Sequence, residues 1–170
     1  MMTGSIPTEV GLLSSIKDLR LSKNPGLAGT IPTQLFGLTS LEHLELDDTQ
    51  LSGTISTQFG RLTNLQHLEL DDTLLSGSIP TEFGLLVNMA YLEISNAPSL
   101  QGSLPSEFGL MAKLEELYVY NLPGLVGSIP SELGSLSSLY EFWLCEYFLL
   151  LIVDSEMILS NLRAYIFTAY

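Results

Sequence analysis

The stretch LEHLELDDTQLSGTIS, residues Leu41–Ser56, recurs 24 residues later as LQHLELDDTLLSGSIP, residues Leu65–Pro80. A chain that repeats itself at a fixed interval of this size is built from stacked structural units. The interval is set by the motif G-[ST]-[IL]-P, whose proline is replaced by Ser56 in the third copy. Its glycines follow one another at 24 or 25 residues and are Gly4, Gly29, Gly53, Gly77, Gly102 and Gly127. The sequence therefore predicts about six repeats.

A second pattern, apolar-x-x-apolar-x-apolar, begins twelve residues after each glycine. In the two quoted copies it consists of Leu41, Leu44 and Leu46, then Leu65, Leu68 and Leu70. Alternating apolar residues are typical of a strand that buries one face. A strand this short can bury that face only if the next repeat packs beside it. The pattern therefore predicts coils that stack into a parallel sheet over one shared core.

Composition and charge limit the kinds of protein and the partners that are compatible with this sequence. The chain has 170 residues, of which 46% are hydrophobic, so it is long enough and apolar enough to bury a core. Its formal net charge of -13 argues against nucleic acid as a partner, because phosphates would be repelled. A single cysteine, Cys145, cannot form an internal disulfide. The apolar run Tyr147–Val153 is too short for a transmembrane segment, which needs about 20 residues.

The unit LxxLxLxxTxLSGxIPxxFGxL, as in Leu65–Leu86, resembles the plant-type class of the leucine-rich repeat family. The segments GSIPTEFGLL and TNLQHLEL also resemble the leucine-rich repeat proteins of algae. The resemblance implies an α/β solenoid. In that fold a right-handed coil carries a parallel sheet on its concave face and irregular or 3-10 turns on its convex face. We expect this L domain-like repeat domain to span residues 3–145.

The same resemblance implies a protein- or peptide-binding module without catalytic activity. Two other functions stay open: a fragment of a receptor-like protein or receptor kinase ectodomain, and a wall-associated inhibitor or structural protein. The resemblance suggests a location at the cell surface or membrane, which the residues themselves leave unknown. No secretory signal is visible at the start, and because the chain begins within a repeat we expect its N-terminus to be truncated.

The segment after the last repeat, residues 146–170, does not follow the repeat of 24 or 25 residues. In SEMILSNLRAYIFTAY the apolar residues Ile158, Leu162, Tyr165 and Ile166 have helical spacing, which predicts a C-terminal helix over the last coil. The alternative is non-native sequence from a misread intron.

The chain departs from the family at one structural position. The family places Asn three residues after the last strand leucine, and here only Asn24 fits. Its counterparts are Thr49, Thr73, Ala97, Leu122 and Tyr147. The substitution predicts looser winding in the later coils, with bulges at Asn24-Pro25-Gly26, Ala97-Pro98 and Leu122-Pro123-Gly124.

The outward residues of successive strands should stack in columns about 4.8 Å apart. We select these as candidate partner-binding residues: His43, Glu45, Asp47, His67, Glu69, Asp71, Tyr91, Glu93, Tyr118, Tyr120 and Trp143. One interpretation is a solvated acidic face preserved by repeat duplication. Another is a docking surface for a basic peptide or protein, with the aromatic residues as hot spots. A third is weak binding of Ca²⁺ near Asp47 and Asp71.

Catalytic and cofactor motifs are missing from the sequence. There is no nucleophile elbow, no phosphate-binding glycine loop and no metal motif of standard spacing. His43 and His67, with Glu45 and Glu69, could form a zinc site, but two exposed histidines copied with the repeat are the simpler explanation. We therefore expect a binding protein that uses no cofactor and no resident metal, and not an enzyme.

Overall fold

The computed structural model describes residues 1–145 and the backbone of residues 163–167. Each repeat forms one coil of a solenoid, with two strands and a 3-10 helix. The strands are β1 Thr3–Gly4, β2 Asp18–Arg20, β3 Asn24–Thr30, β4 His43–Glu45, β5 Thr49–Thr54, β6 His67–Glu69, β7 Leu74–Gly77, β8 Tyr91–Glu93, β9 Ser99–Gly102, β10 Glu116–Val119, β11 Gly124–Leu125, β12 Glu141–Cys145 and β13 Arg163–Phe167.

The concave sheet contains seven parallel strands in the order β13-β12-β10-β8-β6-β4-β2. Its strands coincide with the apolar-x-x-apolar-x-apolar pattern, because inward leucines alternate there with outward polar residues. The predicted register is confirmed: Glu45 pairs with Glu69, and Glu69 pairs with Glu93. Equivalent residues of successive coils therefore lie side by side.

A second parallel sheet, in the order β1-β3-β5-β7-β9-β11, was not predicted. Each of its strands after β1 carries one buried leucine of the motif, such as Leu51 or Leu75. The glycine that follows has a positive φ in every coil, for example +88° at Gly53. Only glycine adopts that conformation without strain, so the G-[ST] step marks where the chain leaves this sheet.

In the described part of the chain, six 3-10 helices form the remaining side of the coils, as predicted. They are Thr8–Leu12, Thr33–Gly37, Thr57–Arg61, Thr81–Leu85, Ser106–Leu110 and Ser131–Ser135. In five coils a proline occupies the N-cap; Pro80, for instance, is extended, with φ -69° and ψ 140°. Proline fixes φ and ends the extended segment before these five helices, whereas Ser56 caps the third helix by accepting a hydrogen bond from the backbone N–H of Gln58.

The core runs continuously through the stacked coils. Four phenylalanine rings contact one another in series along it, with centroid distances of 4.9 Å from Phe36 to Phe59, 5.4 Å from Phe59 to Phe83, and 6.2 Å from Phe83 to Phe108. The predicted apolar columns are buried from the second coil onward. In the first coil, which has a neighbour on one side only, Leu13 is 50% exposed and Ile16 and Leu21 are partly buried.

Threonine replaces part of the missing asparagine ladder. The hydroxyl of Thr49 donates to the carbonyl of Leu46 at 2.7 Å, and Thr73 donates to Leu70 at 2.8 Å. Of the predicted bulges, the one after Asn24 is confirmed by a register shift between Asn24 and Ala28. The looser winding of later coils stays a prediction.

The C-terminal segment differs from the predicted helix where it is described. Arg163–Phe167 is a strand, and it pairs in parallel with β12. Its sequence RAYIF is rich in the aromatic and β-branched residues that favour strands, and the edge of β12 offers free backbone groups to pair with. The other residues of the predicted helix, including Ile158 and Leu162, lie outside the described residues.

Candidate functional site

The concave sheet brings the candidate residues into the predicted columns. His43 and His67 are paired neighbours, and His67 pairs with Tyr91. In the next column Glu93 pairs with Tyr118, and Tyr118 pairs with Trp143. A third column contains Asp47, Asp71 and Tyr120, placed just beyond the ends of the strands. We call the outward side chains of these columns the concave face.

Five rings form a continuous row across the concave face. The centroid distances along it are 5.7 Å from His43 to His67, 4.3 Å from His67 to Tyr91, 5.4 Å from Tyr91 to Tyr118, and 6.0 Å from Tyr118 to Trp143. His67 and Tyr91 are nearly parallel, at an interplanar angle of 10°. The row changes column between Tyr91 and Tyr118, which no single column of the sequence reveals.

Carboxylates orient these rings through hydrogen bonds. Nε2 of His67 lies 2.7 Å from Oε1 of Glu69. The hydroxyl of Tyr91 donates to Oε2 of Glu93 at 2.7 Å, and that of Tyr120 donates to Oε1 of Glu93 at 3.0 Å. A charged acceptor makes such bonds stronger than neutral ones, so the rings are held in place before any ligand binds.

Two further carboxylates support the aromatic end, although they were not among the candidates. Glu116 accepts hydrogen bonds from the hydroxyls of Tyr118 and Tyr140. Glu141 accepts one from Nε1 of Trp143 at 2.7 Å. Both lie in the same column as Tyr91, and their position two residues before an aromatic residue could have identified them.

Asp47 is the one candidate residue that is fully buried, whereas the other candidates are partly buried. Asp47 is only 5% exposed, and Asp71 is partly buried. Burial, followed by the charge of Glu93, raises the pKa of Asp71 to about 7. Burial, followed by the charge of Glu69, raises the pKa of Asp47 to about 6. Crowded carboxylates therefore carry less charge here than a count of residues implies.

The pKa of Glu69 shifts in the opposite direction, below its usual value. Its hydrogen bond from His67 lowers the pKa of Glu69, although burial opposes this effect. In the Asp47–Glu69 pair the histidine therefore selects Glu69 as the group that stays ionised. For Tyr91, burial and then the bond to Glu93 raise the pKa of the hydroxyl, which keeps it a donor.

The second aspartate of each ELDD copy has a backbone role. Asp48 and Asp72 have φ values of 52° and 49°. Asn96 and Asn121 occupy the same position in later coils and share that conformation. Short polar residues tolerate left-handed backbone better than most, so this aspartate turns the chain out of the concave sheet.

Arg20 marks the basic end of the concave face. Its Nε lies 2.8 Å from Oδ1 of Asp18 and 3.3 Å from Oε1 of Glu45. Glu45 also accepts a hydrogen bond from Ser22. The negative potential is therefore concentrated away from the first coil, around Glu69, Glu93 and the aromatic row.

Comparison with known proteins agrees with this geometry. The family model described as Leucine Rich Repeat matches residues 40–62 and 64–86. The structure also resembles the ectodomain of GASSHO1/SCHENGEN3, a membrane receptor kinase of Arabidopsis thaliana solved with CASPARIAN STRIP INTEGRITY FACTOR 2. The identity is 39% and the TM-score 0.80, over 84% of this chain and 17% of that one. The chain is a leucine-rich repeat protein of the plant type.

Two other solved plant structures have similar scores. The plant peptide hormone receptor RGFR1, in complex with RGF2, is 33% identical with a TM-score of 0.80, over 85% of this chain and 23% of that one. A plant ice-binding protein is 32% identical with a TM-score of 0.75, over 84% of this chain and 44% of that one. This chain therefore spans less than half of each relative. No curated protein matches it significantly.

These relatives use one fold for different tasks, so the fold alone does not select a function. The leucine-rich repeat solenoid is nevertheless a ligand-binding kind of domain and not a catalytic one. Within the part of the chain that the structure describes, no helix has the length and apolarity of a membrane span.

Proposed function

We propose that this leucine-rich repeat chain is a recognition module that binds a basic peptide, or a basic segment of a protein, along its concave face. The row of five rings between columns of carboxylates is the observation that carries the proposal. Arg and Lys side chains can stack on aromatic rings and pair with carboxylates, so a basic ligand would use both kinds of group.

The dimensions of the row indicate the length of the ligand segment. Five rings on successive strands span about 19 Å, because neighbouring strands lie about 4.8 Å apart. An extended peptide advances about 3.4 Å per residue, so about six residues would cover the row. Every second side chain of such a peptide would face the sheet.

Receptor ectodomains among the relatives were solved with peptide ligands. This likeness favours the alternative that the chain is part of a longer receptor-like protein, in which the same surface would bind the ligand. Both versions assign binding and no catalysis to these residues.

The test replaces three outward carboxylates, Glu45, Glu69 and Glu93, with glutamine. Synthetic octapeptides in which Arg, Gln or Glu alternates with Ser would be titrated at low salt by fluorescence anisotropy. We expect the Arg peptide to bind most tightly and the triple variant to lose about 10- to 100-fold in affinity. Three partly exposed charge pairs at about 0.5–1 kcal/mol each account for this range.

A matched control removes the same charge from a different side of the coil. Glu82, Glu107 and Glu132 each follow the first residue of a 3-10 helix, and each accepts a hydrogen bond from that preceding hydroxyl. Changing these three to glutamine should alter the affinity less than twofold. Equal losses in both triple variants, or wild-type binding that does not depend on peptide charge, would refute the proposal.

A further inference from the structure

Three carboxylates from two neighbouring coils converge at one end of the concave sheet. Asp47 follows β4, while Glu69 ends β6 and Asp71 follows it. One oxygen of each lies within 4.8 Å of the others. We propose that Asp47, Glu69 and Asp71 bind a Ca²⁺ ion.

The spacing of these oxygens suits a single ion. Ca²⁺ binds oxygen ligands at about 2.3–2.6 Å, so two ligands of one ion can be at most about 5 Å apart. The three carboxylate oxygens fall inside that limit. The cluster is therefore compact enough for one ion to be shared by its three carboxylates.

Asp47 supplies a second, separate observation. It is 5% exposed, and its Oδ1 has no hydrogen-bond partner. It is the one such buried side-chain atom found in the described part of the chain. A buried carboxylate oxygen without a partner is costly unless a donor or a cation reaches it. A cation at the cluster would give this oxygen its missing partner.

The surrounding charges also favour a cation at this cluster. Neither Asp47 nor Asp71 takes part in a salt bridge among the described residues. Glu93 adds negative charge beside Asp71. Two basic groups attract Glu69: His67, which lies 2.7 Å from it, and more weakly the exposed Lys23. A divalent cation would balance charges that the protein itself leaves unbalanced.

Ligand chemistry favours Ca²⁺ over other divalent ions. All three ligands are carboxylate oxygens, which hard cations prefer, and Ca²⁺ tolerates irregular geometry with water completing its shell. Mg²⁺ requires a near-ideal octahedron. Zn²⁺ would prefer the neighbouring group of Glu45, His67 and Glu69, which offers an imidazole nitrogen. Because no loop encloses the cluster, we expect a Kd of about 10⁻⁴–10⁻³ M, the range of open extracellular modules.

The test is isothermal titration calorimetry of the full chain, freed of metal with a chelator and titrated with CaCl₂. Wild type should bind one ion. Asp47→Asn, which keeps the side-chain shape, should weaken binding at least tenfold. Asp48→Asn is the matched control, because Asp48 is the next residue but is exposed in the turn, and it should change affinity less than twofold.

Circular dichroism would establish that each variant is folded. If Asp47→Asn fails to fold, Asp71→Asn replaces it, with the same tenfold loss expected. No heat up to about 10 mM Ca²⁺, equal heats with MgCl₂, or wild-type affinity in the cluster variant would overturn the proposal. Glu69 belongs to both proposed sites, but this test is independent of the peptide-binding proposal because the titration contains no peptide.

Discussion

Replacing Leu75 with alanine is expected to lower the free energy of unfolding by about 2–5 kcal/mol. Leu75 is 1% exposed and lies in the leucine column of the second sheet. Its removal would leave a cavity between coils that pack on both sides. Denaturant unfolding followed by far-UV circular dichroism measures the loss.

The preceding residue provides the control. Leu74 is 54% exposed and points away from the core in the same strand. Leu74→Ala should change the free energy of unfolding by less than about 0.5 kcal/mol. If both substitutions lower the free energy of unfolding by the same amount, the inward and outward faces of this strand have been assigned wrongly.

Gly109→Ala is expected to destabilise the protein by about 1–3 kcal/mol, because it forces two coils apart. A Cβ at Gly109 would lie 2.5 Å from the backbone oxygen of Glu132 in the next coil. That contact is far below van der Waals distance, and a backbone atom cannot rotate out of the way. Thermal and denaturant unfolding would both register the loss.

Gly37 provides the comparison, because it also lies in a 3-10 helix but has open space where a Cβ would be. Gly37→Ala should be neutral, or stabilising by about 0.4–1 kcal/mol through a less flexible unfolded chain. Similar losses for both glycines would contradict the close stacking of coils described here.

The repeat period made much of the fold predictable. Once the leucines of LEHLEL and LQHLEL are aligned, the pairing of Glu45 with Glu69 follows, because side chains alternate along a strand. The second sheet was missed because its strands carry no such alternation. Their signature is a single leucine before a glycine, which is too short a pattern to predict a strand.

The candidate site was predictable in position but not in environment. The columns placed Asp47 and Asp71 correctly, yet exposure and pKa depend on how the side chains of neighbouring coils pack, which no linear pattern encodes. The left-handed backbone at Asp48 could have been predicted, since Asp or Asn recurs at the equivalent position of the later repeats. The strand at Arg163–Phe167 was missed because helical spacing of apolar residues competed with the strand preference of RAYIF.

Disulfide trapping tests most directly the register that creates the concave face. In a Cys145→Ser background, Glu45→Cys combined with Glu69→Cys places the two thiols on paired residues of β4 and β6. Neighbouring strands are about 4.8 Å apart, within the range a disulfide spans, whereas Glu45 and Glu93 are two strands and about 9.6 Å apart. The account predicts rapid cross-linking of the 45/69 pair under mild oxidation and none of the 45/93 pair. Cross-linking of the 45/93 pair at an equal or greater rate would contradict it.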